Sequence, residues 1–123
     1  MGRVMVIDDD PAVLDSTRFL LDVWGYPVSA YLSAREFLRQ PPSDGDCLVL
    51  DQHMPEMSGL ELVIVVRKLG HVYPILLITG APSPTIEASA ASLGVSLLTK
   101  PLDEGALISF VRQNCAAANN TRH

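Results

Sequence analysis

Basic residues are scarce in this sequence and do not cluster. The 123 residues include nine Lys and Arg against fourteen Asp and Glu, which gives a formal net charge of −5. A domain that holds nucleic acid by itself needs clustered cations to face the phosphates. The composition therefore argues against direct nucleic-acid binding by this segment.

Long hydrophobic runs are also missing. No apolar stretch approaches the roughly 20 residues that a membrane-spanning helix requires. The residues that follow Met1 do not have the arrangement of a signal peptide. Val6 stands where a myristoylation signal requires Ser or Thr. We therefore expect a cytoplasmic protein without a membrane partner.

The residues that build disulfides and zinc sites are few. Cys47 falls in a strand pattern and Cys115 near the end of a helical one, so buried thiols are expected rather than a disulfide. His53, His71 and His123 do not have the spacing of a zinc site. Walker loops, GxGxxG fingerprints and GxSxG elbows are absent as well, which argues against the enzyme classes that depend on them.

The sequence does contain a regular alternation of short apolar runs and longer helical patterns. Strands are predicted at residues 4–7, 27–31, 47–51, 74–79 and 95–99. Helices are predicted at about 12–24, 34–40, 60–69, 85–93 and 103–116. This order predicts a doubly wound α/β domain at residues 1–116, with a parallel sheet covered on both faces. Trp24 is expected to pack beneath the sheet, and residues 117–123 to form a tail or the start of a linker.

Polar residues follow the predicted strands at one edge of the sheet. Because the carboxyl ends of parallel strands meet at that edge, it collects Asp8, Asp9, Asp51, Thr79 and Lys100. Two carboxylates about 5 Å apart repel by roughly 3 kcal/mol at an effective dielectric of about 20. Three of them need compensating cations. Lys100 supplies one, and an all-oxygen site fits Mg²⁺ best as the other.

Simpler interpretations of these residues stay open at this point. Asp51 can begin a turn, as Asp often does after a strand. Asp10 precedes Pro11 and a helix, so its favoured role is that of an N-terminal cap. Taken alone, Thr79 is an ordinary strand residue and Lys100 a solvated one.

Four blocks of sequence carry a resemblance that narrows these alternatives. They lie at residues 4–10 (VMVIDDD), 50–59 (LDQHMPEMSG), 78–80 (ITG) and 99–101 (TKP). In their order and spacing they resemble the signature blocks of the receiver domain of two-component response regulators. The resemblance implies a flavodoxin-like fold with five parallel strands in the order 2-1-3-4-5 and five helices.

The resemblance also implies a role for each acidic residue. Asp51 is expected to be the phosphoacceptor, which takes a phosphoryl group from a phosphohistidine on a sensor histidine kinase or a phosphotransfer protein. Asp8, Asp9 and Asp51 are expected to hold Mg²⁺ together with the backbone carbonyl of His53. Such a domain is a phosphoacceptor that catalyses its own phosphotransfer and slow dephosphorylation, and it is not an enzyme with a separate substrate.

Further expectations concern the conformational switch. By resemblance, Lys100 pairs with the phosphoryl oxygens, Thr79 donates a hydrogen bond to one of them, and the Lys100–Pro101 bond is cis. Leu97 stands where family members often carry an aromatic residue, so an aromatic rotamer switch cannot operate there in its usual form. The output surface implied is the face of the fourth helix, fifth strand and fifth helix, which also makes a receiver homodimer possible.

Two other function classes compete with the phosphorylation switch. One is a receiver-like module that docks a partner without phosphorylation, for which Leu97 is the hint. The other is a hydrolase with an aspartyl nucleophile. The hydrolase is disfavoured because the residue two positions after Asp51 is His53 and not a second acid, and because the chain contains no cap domain.

Overall fold

The chain alternates strands and helices throughout its described part. The structure is a computed structural model, and it describes residues 3–39, 41–42 and 47–115. The strands are β1 Val4–Ile7, β2 Val28–Tyr31, β3 Cys47–Asp51, β4 Ile75–Thr79 and β5 Ser96–Thr99. The helices are α1 Pro11–Val23, α2 Ala34–Leu38, α3 Gly59–Lys68, α4 Pro84–Leu93 and α5 Glu104–Asn114. The predicted tail at residues 117–123 lies outside the described residues.

The five strands form one parallel sheet in the order β2-β1-β3-β4-β5. All residues of β1, β3 and β4 are buried, because these strands lie inside the sheet and helices cover both of its faces. The two edge strands are only partly buried or exposed. The predicted fold class and strand order are confirmed.

Two hydrophobic cores lie on opposite faces of the sheet. Side chains of α1 and α5 build the first core with one face of the central strands. Side chains of α2, α3 and α4 build the second core with the other face. Cys47 and Cys115 are both buried, as expected. No helix in the described ranges has the length and apolar character that a membrane span requires.

A polar side chain caps the beginning of each helix named above. These caps are Asp10, Ser33, Ser58, Ser83 and Asp103. Asp10 accepts a hydrogen bond from the Ala12 amide at 3.0 Å, which confirms its predicted role as a cap. The branched sequence of α3 has a full capping box between Ser58 and Glu61 at its start.

One packing prediction was wrong. Trp24 does not lie beneath the sheet, because the residue is 48% exposed at the end of α1. The guanidinium of Arg112 on α5 lies 5.4 Å from the centre of its ring. The indole therefore bridges the outer ends of α1 and α5 through a cation–π contact.

Gly59 allows α3 to approach the sheet closely. A methyl group at this position would lie 2.5 Å from Leu77 Cδ1 and 2.8 Å from the backbone oxygen of Asp51. We expect Gly59→Ala to lower the free energy of unfolding by about 1–3 kcal/mol, because the overlap outweighs the helix propensity of alanine. Urea unfolding measures this change.

Gly80→Ala is the matched control for that substitution. A methyl group at Gly80 would come no closer than 3.5 Å to the Lys100 side chain, which is ordinary van der Waals contact. We expect the free energy of unfolding of this variant to stay within about 0.5 kcal/mol of the original. Equal losses in the two variants would contradict the close approach at Gly59.

Candidate functional site

Asp51 is the last residue of β3 and lies at the carboxyl edge of the sheet, where it is 5% exposed. The ammonium Nζ of Lys100 lies 3.0 Å from its Oδ1. The backbone N–H of His53 donates to its Oδ2 at 3.0 Å. Both oxygens of the carboxylate are therefore held in fixed directions by a charge and by a backbone dipole.

Two more acidic residues reach the same place from the end of β1. Asp8 is buried, and its Oδ1 accepts a hydrogen bond from the Asp10 amide at 2.9 Å. Carboxylate oxygens of Asp8, Asp9 and Asp51 all lie within 4.8 Å of one another. The structure thus brings together the three carboxylates that the sequence placed at this edge.

The electrostatics of this cluster act on the protonation of Asp8. Burial raises the pKa of Asp8 above its ordinary value, and the neighbouring charge of Asp51 raises it further. The Asp10 amide and the Lys100 ammonium oppose this rise. The hydrogen bond to Asp51 in turn raises the pKa of Lys100, so this residue stays a cation. The site holds a net negative charge that favours a further cation.

Thr79 is the last residue of β4 and is fully buried. Its Oγ1 accepts a hydrogen bond from the Ala81 amide at 3.1 Å. The Nε2 atom of the His53 ring lies 3.1 Å from the same oxygen. The backbone N–H of Lys100 donates to the Thr79 carbonyl at 2.8 Å, so the end of β5 is tied to the end of β4.

The remaining predicted positions lie close to this group. The Lys100–Pro101 peptide bond is cis, as the resemblance implied. Leu97 is half-buried in β5 and packs against the second core. The structure therefore brings together Asp8, Asp9, Asp51, Thr79, Lys100 and the backbone of His53. The role of Leu97 in switching stays a prediction.

The sequence analysis missed the supporting role of Gln52. This residue is buried, and its side-chain Oε1 accepts a hydrogen bond from the Leu60 amide at 2.9 Å. Its backbone oxygen accepts from Gly59 at 3.0 Å, and its N–H donates to Ile78 at 2.8 Å. Gln52 thus closes the β3–α3 loop onto α3. A polar residue directly after a buried strand was the available signal.

The side chain of His53 was also missed. The sequence analysis assigned a role only to its backbone carbonyl, yet its ring contacts Thr79. That contact joins residues 26 positions apart, so no local pattern of sequence indicates it.

An aspartate at the end of a central strand, flanked by two carboxylates and an ammonium, defines an α/β domain with an acidic site at the carboxyl edge of its sheet. The family model of the response regulator receiver domain matches residues 4–112. The chain belongs to this family, and it is a receiver domain of the two-component response regulator type. The resemblance seen in the sequence is confirmed.

Individual proteins agree with the family match. The transcriptional regulatory protein FixJ of Azorhizobium caulinodans is 40% identical over 111 residues, which are 89% of this chain and 53% of that protein. The response regulator protein TodT of Pseudomonas putida is 35% identical over 111 residues, which are 89% of this chain and 49% of TodT. The chain therefore spans about half the length of these curated relatives.

A solved structure shows the same fold. Full-length FixJ from B. japonicum is 36% identical and superposes with a TM-score of 0.79. The superposition covers 91% of this chain and 58% of the FixJ chain.

The raised pKa of Asp8 predicts a pH-dependent stability. A carboxyl whose pKa is higher in the folded state stabilises the fold below its unfolded pKa, and this contribution is lost as the pH rises through the folded pKa. In a buffer at pH 7 that contains a chelator and so keeps the protein free of metal, Asp8→Asn is therefore expected to raise the thermal midpoint of unfolding. The gain should shrink as the pH falls through the raised pKa of folded Asp8 and should vanish below about 4, the ordinary pKa of an aspartate.

Differential scanning calorimetry measures both effects. Asp15→Asn is the matched control, because Asp15 is exposed on the outer side of α1. A fall in the midpoint of the Asp8→Asn protein at pH 7 would show that ionised Asp8 stabilises the metal-free fold, contrary to the prediction.

Proposed function

We propose that this domain accepts a phosphoryl group on Asp51 and uses the modification as a signal. The observation that carries the proposal is the arrangement around Asp51. Its carboxylate is buried at the sheet edge, paired with Lys100 and crowded by Asp8 and Asp9. A carboxylate without a nearby cation would be a poor place to add further negative charge, whereas this one has an ammonium already in contact.

The reaction is an in-line transfer of a phosphoryl group. A carboxylate oxygen of Asp51 attacks phosphorus, an O–P bond forms, and the N–P bond of a phosphohistidine breaks with the electron pair left on the imidazole nitrogen. Lys100 neutralises the charge on the transferred oxygens. The hydroxyl of Thr79 donates a hydrogen bond to one of them. These residues position the group and stabilise its charge, which is the main part of such catalysis.

The acidic cluster fits a bound Mg²⁺ ion. Its donors are hard oxygen atoms, which Mg²⁺ prefers over the nitrogen and sulfur ligands of transition metals. Asp8, Asp9 and Asp51 would hold the ion, with the backbone carbonyl of His53 as a further ligand. A bound Mg²⁺ ion would supply electrostatic stabilisation of the phosphoryl oxygens.

The partners follow from this chemistry. The donor is a phosphohistidine on a sensor histidine kinase or a phosphotransfer protein, and the domain works in the cytoplasm. The output surface is the face formed by α4, β5 and α5, which can pair with a second receiver. Ser96 and Thr99 of β5 are exposed on the open edge of the sheet. With its acidic composition, this segment does not bind nucleic acid directly.

The domain acts on itself and not on a separate substrate. It catalyses the phosphorylation of its own Asp51 and the slow hydrolysis of that phosphoryl group. The complete set of Asp8, Asp9, Asp51 and Lys100 around one point favours this function over docking without phosphorylation. A docking module has no need for three carboxylates at one point, two of which, Asp8 and Asp51, are buried, since burial raises the pKa of Asp8.

Phosphorylation with a small donor tests the acceptor. With acetyl phosphate and Mg²⁺, we expect the intact mass of the protein to rise by one phosphoryl group. Asp51→Asn should abolish the increase, because an amide is not a nucleophile at this site. Asp15→Asn, which changes an exposed acid of α1, should leave it intact. A mass increase that persists in the Asp51→Asn protein would exclude Asp51 as the acceptor.

Calorimetric titration with Mg²⁺ tests the metal site. We expect Asp9→Asn to weaken Mg²⁺ binding by at least about tenfold, because it removes a charged ligand from a divalent cation. Asp10→Asn is the matched control, since the neighbouring Asp10 caps α1 and asparagine caps a helix equally well. Equal losses in the two variants would indicate general electrostatic attraction and not ligation by Asp9.

A further inference from the structure

The ring of His53 links the β3–α3 loop to the end of β4. Its Nε2 atom lies 3.1 Å from the hydroxyl oxygen of Thr79. His53 lies in the β3–α3 loop and is exposed, whereas Thr79 ends β4 and is fully buried. The contact therefore connects the loop that follows the acceptor Asp51 to the end of β4.

This contact occupies a hydroxyl that the proposed function needs elsewhere. A threonine hydroxyl offers one proton and two lone pairs. The Ala81 amide takes one lone pair at 3.1 Å, and the His53 ring engages the oxygen from a second direction. Within the described residues, no hydrogen bond joins the Thr79 hydroxyl to Asp51. When the imidazole carries its proton on Nδ1, Nε2 accepts the hydroxyl proton, and Thr79 then has no proton left to donate to another group.

We propose that His53 is a positioning residue that holds the Thr79 hydroxyl away from Asp51 until a phosphoryl group is present. The inference rests on the proposed function, because it assumes that Thr79 turns to a phosphoryl oxygen on Asp51. The bond from Thr79 to His53 and the bond from Thr79 to the phosphoryl group then belong to alternative states. The His53 ring stabilises the first state only.

The position of His53 suits this role. Its backbone N–H donates to Oδ2 of Asp51 at 3.0 Å, so the same residue contacts both the acceptor and Thr79. Gln52 anchors the loop just before His53 through the Leu60 amide. Leu97 lacks the aromatic ring that could follow a movement of Thr79, whereas the ring of His53 does contact Thr79.

Binding of a phosphoryl analogue tests the proposal. The probe is fluoroberyllate with Mg²⁺, and the measured quantity is its dissociation constant. His53→Leu replaces the imidazole ring with an apolar side chain of similar size, which cannot form a hydrogen bond. Because it destabilises only the unliganded state, we expect it to tighten binding by about threefold to tenfold, the effect of one net hydrogen bond.

His53→Gln is the conservative rescue. Its terminal amide extends about as far from the backbone as Nε2 of histidine, so the amide oxygen can accept the Thr79 proton in place of Nε2. We expect the dissociation constant of this variant to lie within about twofold of the original. Unchanged or weaker binding in the His53→Leu protein would overturn the inference, as would equal tightening in the two variants.

A double-mutant cycle separates the hydrogen bond from the bulk of the ring. In a Thr79→Val background the hydroxyl is absent and the shape is kept. There His53→Leu should no longer change the dissociation constant. An undiminished change in that background would show that the ring acts by size or charge, which contradicts the proposal. Thermal unfolding establishes that each protein is folded. The comparison of Leu with Gln at residue 53 decides the inference even if Thr79→Val does not fold.

Failure of the proposed function gives a different result. A parent protein that neither gains a phosphoryl mass nor binds fluoroberyllate contradicts the role of Asp51 and, with it, this inference. A parent protein that does both, together with a His53→Leu variant of unchanged affinity, contradicts the role of His53 alone.

Discussion

The repulsion among three carboxylates at one sheet edge is the constraint on which the rest of the site depends. Oxygens of Asp8, Asp9 and Asp51 lie within 4.8 Å of one another, and the Lys100 ammonium lies 3.0 Å from Asp51. Burial of Asp8 raises its pKa, so this arrangement opposes folding at neutral pH. The two hydrophobic cores must offset that cost. Such strain is typical of sites in which function, and not stability, determines the residues.

Hydrogen bonds hold the loops around Asp51 in place. A signal that begins as added charge on one carboxylate can reach a surface only if nearby groups move in a defined way. Gln52 and Gly59 fasten the β3–α3 loop to α3, and the Lys100 amide fastens β5 to Thr79. Because these attachments limit the freedom of the loops, the proposed phosphorylation of Asp51 would act on the few side chains that can still reorient.

Much of the fold could be predicted from particular residues. The continuous apolar runs of β1, β3 and β4 are typical of buried parallel strands, and Asp10 marked the start of α1 through its capping side chain. Trp24 was misplaced because the apolar stripe of α1 does not show where the helix leaves the sheet. Its last turn extends past the core, and there Arg112 covers the ring instead.

The sequence alone determined which charged residues meet, because the period of a strand and the parallel order of the sheet place every strand end at one edge. The acidic cluster and Lys100 followed from that rule, and the cap at Asp10 followed from its position before Pro11 and a helix. Only the tertiary structure decided the contacts between them. The bond from His53 to Thr79 and the closure of the loop by Gln52 depend on strand register and side-chain rotamers over distances of about 3 Å. Periodicity in a sequence carries no information at that scale.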